Sequence, residues 1–137
     1  MTAAVIGISS GLLIIFLFQI FKHLDKTSVY GLILSGIGFL YVGYVWMDVE
    51  DLVVNSIQAV IFLLIAYTGM KKPWFLAIGF FLHGCWDIAY PFLRNPGLIP
   101  PHYDIFCSTL DFVIAIYLLL INKKLSFKNS PLLKPTL

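Results

Sequence analysis

Residues 73–93 read PWFLAIGFFLHGCWDIAYPFL. A bilayer is crossed by about 20 predominantly apolar residues in one helix. This stretch is 21 residues long, carries one carboxylate, Asp87, and opens on Pro73. Proline suits the first turn of a helix, where no amide donor is needed. Reading outward, four more stretches meet the same criterion: 3–21, 29–47, 52–70 and 105–122. Together the five leave 41 of the 137 residues for everything else. The connections 22–28, 48–51, 71–72 and 94–104 are too short for anything but antiparallel neighbours. The expected fold is therefore an all-α, five-helix transmembrane bundle over 1–125, followed by a cytoplasmic tail over 126–137.

Composition points the same way. Hydrophobic residues make up 60% of the chain and charged residues 12%, with a mean hydropathy of +0.93. Soluble domains hold about 25% charged residues. A disordered chain is excluded by the oil, and a disulfide scaffold by the two cysteines. Nine basic residues without a long basic block exclude a nucleic-acid binder. The first stretch has no Lys or Arg before Lys22 and no small-residue cleavage site, so it is expected to be a retained helix rather than a signal peptide.

Charge sets an expected orientation. Lys22, Lys26, Lys71, Lys72, Lys123, Lys124, Lys128 and Lys134 fall at one end of the bundle. Arg94 falls at the other, with Asp48, Glu50 and Asp51. The positive-inside rule then puts the N-terminus out and the C-terminus in, in a cell membrane and most simply a bacterial inner membrane. Trp46, Tyr90 and Tyr103 at one end, and Tyr30, Tyr67 and Trp74 at the other, are expected to form aromatic belts.

Polar residues inside the spans carry the functional argument. An ionisable group at mid-membrane costs about 2.5–3.5 kcal/mol on insertion scales and faces protein or a watered cavity. Counting 1.5 Å per residue puts Asp87 and Asp111 both roughly 9 Å below the outer boundary, with Ser9, Tyr41 and Gln58 at similar depth. His83 lies one turn deeper. Helical spacing aligns His83, Asp87, Tyr90 and Arg94 on one stripe, and Asp104, Cys107 and Asp111 on another. Asp51, Asn55 and Gln58 form a third stripe, and Tyr41, Tyr44 and Asp48 a fourth. The inner half holds only Gln19, Ser35, Thr68, Tyr117 and a few end residues. Four stripes at one level imply a polar pocket in the outer half, closed below by apolar packing. Measured polar contacts between membrane helices average only about 0.6 kcal/mol, so hydrogen-bonding glue alone explains two buried aspartates poorly.

From these stripes His83, Asp87 and Asp111 are the candidates for acid–base chemistry, with a carboxylate fixing the imidazole tautomer. Tyr41, Tyr44, Asp48, Asp51, Asn55, Gln58, Trp86, Tyr90 and Cys107 are the candidate ligand-binding residues. Cys85, two residues from His83, points elsewhere and reads as a core thiol. No metal and no cofactor is expected: His83, Asp87, Cys107 and Asp111 could supply mixed ligands, but no second histidine lies near them, and zinc sites usually combine closely spaced Cys and His. The loop 94–104, stiffened by Pro96, Pro100 and Pro101, is expected to cap the pocket mouth. Ala3, Gly7 and Gly11 form a small-residue face suited to packing inside the bundle or to a homodimer contact.

The segment His83-Gly84-Cys85-Trp86-Asp87, with Pro101-His102-Tyr103-Asp104, Cys107 and Asp111, resembles a family of short bacterial multi-pass membrane proteins of unassigned function. The likeness covers roughly the last two helices and their loop. It implies a membrane protein and transfers no activity. A fainter likeness is to the sterol-isomerase and sigma-2-receptor type of small bundle, which surrounds a lipid pocket with acidic and aromatic residues; no site residue carries over from it. The leading functional expectation is a membrane protein that binds an amphipathic or lipid-like ligand, with acid–base chemistry as an extension. A small transporter or proton-coupled carrier is the second reading, opposed by the apolar inner half. A structural or accessory subunit of a membrane complex is the third. The expected partners are membrane lipid and a small amphipathic ligand, with no nucleic acid.

Overall fold

A computed structural model describes residues 1–21 and 23–128, with the side chains of 123–128 excepted. Five α-helices follow in order: α1 (Thr2–Ile20), α2 (Lys26–Tyr44), α3 (Val49–Lys71), α4 (Trp74–Leu93) and α5 (Tyr103–Lys128), with a 3-10 turn at Pro96–Leu98. All five are long and apolar enough to cross a membrane.

Polar caps, which hydropathy does not register, set several helix ends. The Asp25 carboxylate accepts from the amides of Thr27 and Ser28, so α2 starts three residues before its apolar run. The hydrogen bonds from Ser28 and Thr27 hold this exposed carboxyl below its usual pKa. Asp48 caps α3 by accepting from the Asp51 amide, with Glu50 and Asp51 in the positive first turn. Pro73 sits immediately before α4. Pro91 lies within its last turn and lacks the amide that would bond the Asp87 carbonyl, yet the helix continues to Leu93. The fifth helix begins at Tyr103 and runs six residues beyond its apolar stretch, to Lys128. Of the expected tail, residues 129–137 lie outside the described residues.

Helix α4 is the centre of the bundle, packed against α2, α3 and α5, while α2 lies along α3. Helix α1 is peripheral and rests mainly on α5. Only Gly7 and Gly11 of α1 are buried. A Cβ at Gly7 would collide with the Thr109 hydroxyl and the Phe106 carbonyl, and one at Gly11 would press on Val113. The small-residue face of α1 is thus occupied within the chain, where it lets two backbones approach closely.

Two apolar clusters fill the interior. The larger lies toward the lysine end and includes Tyr30, Leu34, Phe62, Ala66, Leu76, Phe80, Ile114 and Leu118. The smaller lies toward the Asp48 end and joins Tyr41, Val45 and Tyr90 to Ile99 of the 94–104 loop. Tyr30 and Tyr90 are therefore core residues, not members of an aromatic belt. Trp46, Tyr67 and Trp74 remain on the exposed surface.

Candidate functional site

Between the two apolar clusters lies a polar one. His83 and Asp87 are one turn apart on α4, so their side chains share a face; Asp111 approaches from α5. His83 Nδ1 is hydrogen-bonded to Asp111 Oδ2 at 2.8 Å and stands 3.4 Å from Asp87 Oδ2. The Tyr41 hydroxyl, from α2, donates to Asp87 Oδ1 at 2.8 Å. His83, Asp87, Asp111 and Tyr41 all have 0% exposure. Three helices thus bring an imidazole, two carboxylates and a phenol to one point. The two carboxylates meet through the imidazole between them.

Aromatic rings enclose this point. Phe62 stands edge-on to His83 with ring centroids 4.8 Å apart. Tyr41 contacts both Tyr90 and Tyr103. Cys107, buried on the Asp111 face of α5, donates its thiol to the Tyr103 hydroxyl at 3.4 Å. Ile99 and Leu98 of the 94–104 loop pack on the Asp48 side with Tyr41, Val45 and Tyr90. From sequence Tyr103 is expected in an aromatic belt, and Phe62 and Ile99 are not singled out. Tyr103 precedes Cys107 by four residues and Asp111 by eight, so its place on that stripe was the available signal. Nothing local marks Phe62 or Ile99.

The remaining candidates fall into two further groups. At the helix ends, Arg94 Nη1 donates to Glu50 Oε1 at 2.9 Å and lies 3.2 Å from Asp51 Oδ1. Asp48 is held as the α3 cap, and Tyr44 is half-buried against Tyr103. Asn55, fully buried below Asp51, donates to the Asp51 carbonyl. Gln58 and Trp86 instead line a groove of about 350 Å³ between α3 and α4, with Ile61, Phe62, Leu82, Cys85 and Ala89. Cys85 is exposed there. Two residues of helix turn it about 200° from His83, and on α4 that direction is the surface, so its reading as a core thiol is corrected.

Many polar atoms around these groups are buried without a hydrogen-bonding partner. They include His83 Nε2, Asp87 Oδ2, Asp111 Oδ1, Asn55 Oδ1, Trp86 Nε1, the Tyr90 hydroxyl and both polar atoms of the Gln58 amide. A buried polar group left unpaired costs about 1–3 kcal/mol. Water, an ion or a ligand can satisfy such groups.

Fold and site together define a class: a small all-α bundle of five helices, each long and apolar enough to cross a membrane, with a buried His–Asp–Asp–Tyr cluster. The chain belongs to the family described as "Family of unknown function (DUF6010)", whose model matches residues 2–124. No curated protein and no solved structure matches the chain.

Proposed function

We propose that this chain is a multi-pass protein of the cell membrane, with its N-terminus outside, that binds an amphipathic, lipid-like molecule drawn laterally from the bilayer. The apolar part of that molecule lies in the α3–α4 groove, and its polar part meets Gln58 and Trp86. The observation that carries the reading is Gln58. Gln58 is 5% exposed and lines an otherwise apolar groove, while both polar atoms of its amide are buried with no partner among the described residues. Turned into the groove, this amide and the Trp86 N–H would both be satisfied by an ester, amide or hydroxyl head group. The His83 cluster stands directly behind Phe62, which lines the groove and packs on the imidazole, and it supplies acid–base capacity next to the bound head group. Against transport, the space below the cluster is filled by the larger apolar core.

Mass spectrometry of the amphiphiles retained after extraction into polymer-bounded lipid discs tests the proposal. Gln58→Leu is expected to abolish retention of a defined species while leaving the fold intact, because it removes an unpaired amide. Equal retention of the same species by the wild type and by Gln58→Leu would refute it.

A further inference from the structure

We infer that His83, Asp87 and Asp111 form a binding site for one divalent transition-metal ion. This goes beyond the reading above: the ion would lie behind Phe62, which lines the groove and packs on the imidazole. The ligand set itself stands on separate observations.

The first is spacing. One ligand atom from each of the three residues can be chosen so that all lie within 4.8 Å of one another. Around an ion bound at about 2.0–2.2 Å, neighbouring ligand atoms stand about 3–4 Å apart. The 2.8 and 3.4 Å separations from His83 Nδ1 to the two carboxylates already lie near that spacing. With the ring proton carried on Nε2, the Nδ1 lone pair is free for an ion, and small side-chain adjustments would close the set around it.

Charge supplies the second observation. Two fully buried carboxylates face one imidazole, and a single Nδ1 proton can be donated to only one of them at a time. Among the described residues, the arginine at this end of the bundle is already engaged by Glu50 and Asp51. One oxygen of each carboxylate, Asp87 Oδ2 and Asp111 Oδ1, has no hydrogen-bond donor. A divalent cation would neutralise both carboxylates and occupy those lone pairs.

Orientation is the third. The Tyr41 hydroxyl holds Asp87 Oδ1 and thereby turns Oδ2 toward His83. A hydrogen bond to the outer oxygen of a ligating carboxylate is the usual support of a metal ligand. Donor chemistry then narrows the ion. One imidazole nitrogen with two carboxylate oxygens suits zinc, manganese or ferrous iron, whereas calcium and magnesium prefer all-oxygen sets. Three protein ligands leave further coordination positions open, the arrangement found where an ion meets a substrate and not only a fold.

The test uses delipidated full-length protein in detergent, stripped with a chelator and titrated separately with Zn²⁺, Mn²⁺ and Co²⁺. The expected result is about one equivalent retained through gel filtration, with a higher melting temperature at saturation. Asp111→Asn and His83→Ala should each lose at least about tenfold in affinity, the lower range for damage to a metal site. Glu50→Gln, at the bundle end, should leave uptake unchanged. If both cluster variants fail to fold, the Co²⁺ spectrum of the wild type decides: a histidine-nitrogen signature supports the site, and all-oxygen coordination overturns it. Stripped wild type that retains none of the three ions, with an unmoved melting temperature, overturns it as well. So does uptake lost in Glu50→Gln and kept in Asp111→Asn. Because no lipid is present, failure of the amphiphile reading leaves this result untouched, and a metal-free protein that still retains its amphiphile refutes the metal alone.

Discussion

Tyr41 shows how much one side chain carries here. Its ring belongs to the apolar cover with Val45, Tyr90 and Ile99, while its hydroxyl reaches down to Asp87 Oδ1 at 2.8 Å. Tyr41→Phe keeps the ring and removes the hydroxyl that, among the described residues, donates to that oxygen, leaving a fully buried acceptor unpaired. The expected loss is about 2 kcal/mol, within the range for hydrogen bonds to charged groups, read as a lower thermal or denaturant midpoint in detergent. The effects of Tyr41→Phe and Asp87→Asn should not add in the double variant, since the two groups share one interaction. Strict additivity would show that the hydroxyl and the carboxylate act independently. At this scale the sequence was largely legible. Helical spacing alone aligned His83 with Asp87 and put Asp111 at the same depth, because membrane helices are regular and polar groups in lipid turn inward. What spacing could not supply was the identity of the apolar neighbours. Phe62 is one of 12 phenylalanines in the chain, and only the packing of α3 on α4 sets it against the imidazole.

Among the helices, α1 and α4 are the extremes. Both are long and apolar enough to cross a membrane, and they are of similar length. Yet α4 is enclosed by three neighbours, and α1 leans chiefly on α5. The apolar content of a span reports its solvent, the bilayer, and says nothing of which helix it meets. The stripe of small residues did signal a close approach, and the structure supplies the partner. Gly7 has the Phe106 carbonyl and the Thr109 side chain where a Cβ would stand. Gly7→Leu must therefore push α1 away from α5, because one obstacle is backbone and cannot rotate aside. The cost expected is about 1–3 kcal/mol, as for overpacking elsewhere. Because α1 rests mainly on α5 and supplies none of the cluster's side chains, the consequence should be local. A cysteine pair placed across α1 and α5, with Cys85 and Cys107 replaced, should lose its crosslinking in Gly7→Leu, while retention of the amphiphile persists. Unchanged crosslinking would mean that the α1–α5 approach does not depend on the missing side chain at Gly7. Element ends were the least legible feature: Asp25 begins α2 by a polar cap, and α5 outruns its apolar stretch, since a helix continues past the membrane wherever its backbone bonds persist.

For the whole molecule, the two ends differ in charge in a way that bears on insertion. Lys26 opens α2 and Lys71 closes α3. Lys72 follows immediately, so these three lysines stand at one end of the bundle. Lys22, Lys123, Lys124, Lys128 and Lys134 adjoin the same end in sequence. At the other end the single arginine is bound by Glu50 and Asp51, so even its charge is offset locally. Orientation in a bilayer follows Lys and Arg in the short connections near the spans, with acidic residues contributing little. Eight basic residues against one is a strong bias, and the odd number of spans then separates the two termini. Met1 is expected outside and the residues beyond α5 in the cytoplasm. Reporter fusions read this directly. A reporter active only in the cytoplasm should work after Leu137 and fail within the 94–104 loop, and one active only outside should do the reverse. The same orientation places the His83 cluster nearer the outer leaflet, under the loop that carries Ile99, so the amphiphile should be drawn from that leaflet. An externally active fusion after Leu137 would invert both statements together: the site would then face the inner leaflet, and the ligand would have to come from there.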